Sequence, residues 1–137
     1  MSKDRTFSTA IHILAVLGAH EPDLVSSESL AVGIRTNPGL IRRVLLKLSE
    51  AGLVETTKGK NGGSRLARKA SQISMEDVYL AVKDSPLFGS FDKDPFKACF
   101  ISCKIGTVLE NMYGDFENEL KKKMKKVKLS QFMSELN

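Results

Sequence analysis

With 137 residues, 42% of them apolar, and two Cys, the chain has the size and composition of one folded domain with a modest core, which excludes a disordered polymer and a disulfide scaffold. No apolar run approaches the ~20 residues that span a bilayer, and the N-terminal apolar stretch is interrupted by His12 with no convincing cleavage site after it, so a cytoplasmic protein with no membrane partner is expected. The net charge of +5 is uneven: residues 1–34 carry two basic and four acidic residues (−2), residues 35–69 nine and two (+7), residues 70–120 four and nine (−5), and residues 121–137 six and one (+5).

Residues 5–19 read as an amphipathic helix, with Phe7, Ala10, Ile11, Leu14, Ala15 and Leu17 near i, i+3, i+4 spacing. Glu21-Pro22-Asp23 breaks it. Ser26 or Ser27 can cap a second, short helix with Glu28 in its first turn, and Leu30, Ala31 and Ile34 form its apolar stripe. It ends near Gly33, and a tight turn over 34–36 follows. The next helix, 37–51, has Asn37 as N-cap and Pro38 at its first position, where the missing N–H costs nothing. Ile41, Val44, Leu45 and Leu48 share one face, and Gly52 stops the helix.

Leu53 to Thr57 reads as a strand, Lys58 to Gly63 as a tight Gly-rich turn, and Ser64 to Ala67 as the returning strand. Ser74 caps a helix with Glu76 and Asp77 in its first turn and Met75, Val78, Tyr79 and Val82 on its apolar face; Pro86 is the expected stop. Residues 84–97 read as a loop. From about 98 to 127 runs the longest periodic segment, with Ile101, Ile105, Val108, Leu109, Met112, Phe116, Leu120, Met124 and Val127 recurring every three or four residues. Such a helix of roughly 30 residues would be about 45 Å long, more than one small globule covers, so a homodimer through helix 98–127 is expected. A short final helix is expected over 129–136, capped by Ser130. The Lys run 121–128 reads as a solvated helix end.

Two short helices joined by a tight turn, the second with basic residues outward, form the helix-turn-helix pattern, and the hairpin after them is a wing. The expected fold is mainly α: a winged helix-turn-helix DNA-binding domain with a two-stranded wing over 1–83, a loop over 84–97, and a long dimerisation helix plus a short C-terminal helix over 98–137. The expected partner is a double-stranded DNA operator. On recognition helix 37–51, Arg42 and Arg43 suit guanine O6 and N7 or phosphates, Leu40 suits a thymine methyl, and Thr36 and Asn37 suit base or backbone. Pro38 and Gly39 lie at the approaching end of the helix, Gly39 without a side chain, and Lys47 flanks it. On wing 57–65, Lys58, Lys60 and Asn61 would follow a narrow minor groove or its phosphates. No Ser-His-Asp spacing, P-loop or H-E-x-x-H is present, so no enzyme is expected. A winged-helix protein-interaction module without DNA is the competing class.

Cys99 and Cys103 lie four apart at the start of the long helix. A thiol there is a candidate oxidation sensor. The pair could share a metal or an iron–sulfur edge, but two ligands do not make a site, and a cluster would need more from His, acid or the other subunit. No cofactor is expected.

The segments Leu45-Leu46-Lys47-Leu48-Ser49-Glu50-Ala51-Gly52-Leu53-Val54, Lys58-Gly59-Lys60-Asn61-Gly62-Gly63-Ser64-Arg65-Leu66-Ala67 and Ile73-Ser74-Met75-Glu76-Asp77-Val78-Tyr79, followed by a Cys near 99 and the long helix, resemble the Rrf2 family of bacterial transcription regulators over nearly the whole chain. The resemblance implies a dimer with each recognition helix in a major groove and each wing near the adjacent minor groove, and a repressor is expected; several members sense iron–sulfur status, nitric oxide or cysteine supply. Two departures stand out. The wing's usual Arg is Lys58 here, and cluster-binding members carry three Cys where this chain has Cys99 and Cys103. Some members also use an acidic ligand on the first helix, where this chain has Thr9. The sequence is similar to the branch without a complete cluster site.

Overall fold

The computed structural model describes residues 5–88 and 96–137. Within them, residues 5–83 with 124–137 form one unit, and 84–88 with 96–123 form another. Part of the expected loop, 89–95, lies outside the described residues.

In the first unit, α1 (Thr6–Ala19) touches α2 (Ser27–Ile34), α3 (Pro38–Glu50), α4 (Met75–Val82), the wing's second strand and the last helix. Because neighbours surround it, Ile13 is buried as well as Ala10, Leu14 and Leu17, although it falls outside the single stripe read from the periodicity. Ser26 caps α2, its hydroxyl accepting the Ser29 N–H at 3.1 Å. Arg35 closes α2 in the left-handed region, φ 62° and ψ 49°, and Asn37 opens α3, its Oδ1 accepting the Leu40 N–H at 2.7 Å. Ile41, Val44, Leu45 and Leu48 are buried, as their spacing predicts.

Two strands follow, β1 (Val54–Thr57) and β2 (Gly63–Leu66), antiparallel with Val54 opposite Leu66 and Thr57 opposite Gly63. The first starts one residue later than expected, and the second is shifted one residue toward the N-terminus at both ends. The hairpin has a third participant that no local pattern announces. Val25 pairs with Ser64, donating to its carbonyl at 3.0 Å and accepting its N–H at 2.8 Å. A Cβ on Gly63 would come within 2.8 Å of the Val25 backbone, so glycine is what admits this third segment.

A short 3-10 turn, Ala70–Gln72, precedes α4. Ser74 and Asp77 form a reciprocal cap: the Ser74 hydroxyl accepts the Asp77 N–H at 3.0 Å and the Asp77 carboxylate accepts the Ser74 N–H at 2.9 Å. The helix stops at Val82, ahead of the expected stop at Pro86, because Lys83 is already extended.

The final helix, α6 (Leu129–Ser134), corrects two expectations. Its N-cap is Lys128, not Ser130, with the Lys128 N–H donated to Gln131 Oε1 at 2.8 Å. It also packs in the first unit instead of accompanying the long helix. Leu129 is fully buried there, and two bonds pin the approach, Met75 N–H to the Val127 carbonyl at 2.9 Å and Leu129 N–H to the Ile73 carbonyl at 2.8 Å. Phe132 and Met133 pack half-buried on the core, while Leu136 stays exposed.

The second unit is built on α5 (Phe100–Lys125), whose last two residues belong to the first unit. It is shorter than the expected 98–127 by two residues at each end. Its 26 residues span about 39 Å at 1.5 Å each, and none of them is buried. Phe88 stacks on Tyr113 with ring centroids 5.2 Å apart and meets Phe116 edge-on at 5.7 Å. Among the described residues no helix is long and apolar enough to cross a membrane.

Candidate nucleic-acid interface

The N-terminus of α2, the outward side of α3 and the hairpin tip enclose an open groove of ≈ 560 Å³. Arg42, Leu46 and Ser49 reach it from α3, and Lys58, Gly59 and Gly62 from the wing. The α3 face turned this way is set by the apolar periodicity. Once Ile41, Val44, Leu45 and Leu48 are buried, Arg42, Arg43 and Leu46 must point outward, and all three are exposed.

Charge is left unspent on this side. Arg65 is tied across the strands to Glu55 at 3.2 Å, and Arg68 lies 3.7 Å from Asp77. Arg42, Arg43, Lys58 and Lys60 take part in no ion pair among the described residues. Four cations with no internal counter-ion leave a surface whose potential favours a polyanion.

The predicted contact residues divide in space. Asn37, Pro38, Arg42, Arg43, Lys58, Lys60 and Asn61 are exposed, and Thr36, Gly39 and Lys47 are half-buried. Leu40 is half-buried because it packs against the core, whereas Leu46, which has no assigned role in the sequence reading, is 60% exposed on the groove side. The Asn37 side-chain Oδ1 is committed to its cap, which leaves its side-chain NH₂ as the group available to a partner. The groove wall also holds Ser26, Ser27 and Glu28. The α3 periodicity, the Gly-rich hairpin and the positive charge of 35–69 signal a binding face; no local motif signals that the start of α2 lies beside the wing, since the Val25–Ser64 pairing brings them together.

The thiols sit elsewhere, at the start of α5. Cys99 is half-buried and its Sγ accepts the Ser102 N–H at 3.5 Å. Cys103 is exposed, with its S–H toward the Phe96 and Lys97 carbonyls at 3.7 Å each.

A family model described as "Rrf2: Iron-dependent Transcriptional regulator" matches residues 4–135. The chain belongs to the Rrf2 family. Among its relatives, YwnA of Bacillus subtilis (strain 168), assigned as an HTH-type transcriptional regulator, is 27% identical over 129 residues, covering 94% of this chain and 95% of the relative. A crystal structure of a transcriptional regulator from Lactobacillus plantarum superposes with a TM-score of 0.83 at 25% identity, covering 97% of this Rrf2 chain and 90% of the other. IscR of T. potens shares the fold with a TM-score of 0.72 at 17% identity, over 100% of this chain and 89% of that one. This Rrf2 chain is a transcriptional regulator, not an enzyme.

The family description raises the question of iron, and among the described residues the ligand set is incomplete. An iron–sulfur cluster needs about four protein ligands. Cys99 and Cys103 offer two thiols, and among the described residues no group of three or more His, Cys, Asp or Glu could hold a metal ion. Thr9 on α1 is a buried hydroxyl, not an acid.

Proposed function

We propose that this Rrf2 chain is a dimeric repressor that binds a two-fold double-stranded DNA operator through α3 and the wing. The observation that carries the reading is the groove between them, with Arg42 and Lys58 on its walls and neither in an ion pair among the described residues. A helix presenting guanidinium groups suits guanine edges in a major groove, and a Lys-bearing hairpin suits the neighbouring phosphates. The exposed stripe of α5 supports the dimer, because a 26-residue helix without one buried residue leaves apolar surface for a second copy to cover. Occupation of a promoter by such a dimer would block transcription.

The test is a mobility-shift titration with DNA from immediately upstream of the chain's own gene, followed by run-off transcription from that promoter. Binding and reduced transcript are expected. Arg43→Ala should cost about 1–3 kcal/mol and relax preference at one base position. Lys60→Ala should weaken binding evenly across sequences and reduce the salt slope by about one. Absence of any shift at low salt would favour the protein-interaction module.

A further inference from the structure

The recognition helix carries one leucine that the fold does not use. Leu46 is 60% exposed and belongs neither to the core nor to the side chains packed against it. A single exposed leucine is ordinary on a protein surface; the place of this one is not. It lines the groove between α3 and the wing, with Arg42 one turn before it on the same helix and Lys58 on the wing. At about 100° per residue, Leu46 projects about 40° round from Arg42 and about 60° short of Arg43. The hydrocarbon therefore stands between the directions of the two exposed arginines, while Ile41, Val44, Leu45 and Leu48 fill the opposite, buried side. Gly39, two turns earlier and about 20° away, puts no side chain on that line.

DNA offers a leucine in this position few partners. Phosphate oxygens and the polar edges of the bases lose water to a hydrocarbon and gain no hydrogen bond in return. In the major groove the apolar group on a base edge is the C5 methyl of thymine. Leu40, to which the sequence assigns this contact, packs half-buried against the core, so Leu46 is the exposed leucine of α3. Four residues of helix rise about 6 Å, against about 3.4 Å per base along one strand. A thymine met by Leu46 thus lies within about two base pairs of the base met by Arg42.

We infer that Leu46 is a specificity-determining residue that recognises a thymine by its C5 methyl group, between the contacts made by the two arginines. This rests on the DNA-binding reading above. The contact carries no charge, so it adds base preference without adding to the salt dependence that phosphate contacts produce.

The experiment uses fluorescence anisotropy with the full-length protein. One duplex is an operator selected by the wild type from a randomised pool; the others replace one thymine at a time by deoxyuridine, which removes the methyl group and keeps every hydrogen-bonding edge. For the wild type, replacement of one thymine in a half-site should weaken binding roughly three- to fivefold, the scale of one buried methyl group. Leu46→Ala should bind the thymine duplex more weakly, with the wild-type salt slope, and lose nothing further with deoxyuridine at that position. Leu46→Met, which keeps a hydrocarbon, should still distinguish the two duplexes. The side chain is exposed and alanine is a good helix former, so thermal melts should give Leu46→Ala the Tm of the wild type. The assignment is overturned if no deoxyuridine replacement separates the wild type from Leu46→Ala. It is equally overturned if Leu46→Ala weakens binding to the thymine and deoxyuridine duplexes while both proteins keep the same ratio between them, because the leucine then supports the fold or the sugar-phosphate backbone. A wild type that enriches no sequence and binds no duplex at low salt removes the DNA-binding reading itself. A wild type that selects an operator yet binds every deoxyuridine duplex as well as the thymine one removes only the role of Leu46.

Discussion

Ser74 is buried, yet its hydroxyl and the Asp77 carboxylate each satisfy an amide that the start of α4 would otherwise leave unpaired. Ser74→Ala should cost about 1 kcal/mol, within the range of roughly 0.5–2 for such caps. Asp77→Ala should cost a similar amount, and the double variant less than the sum, because the two bonds form one reciprocal unit. Urea unfolding of the three variants measures this, and strict additivity would count against the box acting as a unit. The same scale separates two leucines of α3 that the sequence leaves alike. Leu40 and Leu46 are both apolar residues off the main stripe of α3, and spacing alone does not rank them. Only the packed neighbours of α3 decide that Leu40 leans on the core while Leu46 remains exposed.

The wing is the element where backbone conformation matters most. A Cβ on Gly62 would run into the Thr57 carbonyl and stand 3.0 Å from that of Gly59. Gly62→Ala must therefore open the tip that carries Lys58 and Lys60. The tip is exposed and lies outside the buried core, so Tm should move little while DNA affinity falls; an anisotropy titration beside a thermal melt separates the two. Unchanged affinity would mean the tip does not approach the partner. Elements of this kind were legible because their signals are local. Asn37-Pro38, Ser74 with Asp77, and the glycine-rich turn each act within four residues, and the four-residue apolar face of α3 is a periodicity. What was not legible depends on distant partners. Val25 joins the hairpin through Ser64, and Lys128 displaces Ser130 as the cap because Leu129 is drawn onto Ile73. Neither pairing leaves a mark in its own neighbourhood. The same limit applies to the binding face, where the arginines of α3 could be read but the α2 wall of the groove could not.

At the scale of the whole molecule, α5 poses a question of oligomeric state. Val108 is 62% exposed and Met112 39%, four apart on the stripe that recurs along the helix. Substitutions at exposed positions ordinarily change stability by no more than about 0.5 kcal/mol. In a monomer, Val108→Glu with Met112→Glu should thus be almost silent, since glutamate is a good helix former. In a dimer closed over this stripe, the same pair places two carboxylates per chain in an apolar interface, where an unpaired charge is expensive. Sedimentation equilibrium should give the wild type twice the chain mass of 15.1 kDa, about 30 kDa, and the double variant close to a single chain. The consequence reaches the DNA. Two linked recognition helices gain on the order of 10²–10⁴ over one through effective concentration, so the variant should lose its advantage for a two-fold operator while retaining weak binding to a half-site. A double variant that sediments and binds as the wild type does would place the dimer contact on another surface.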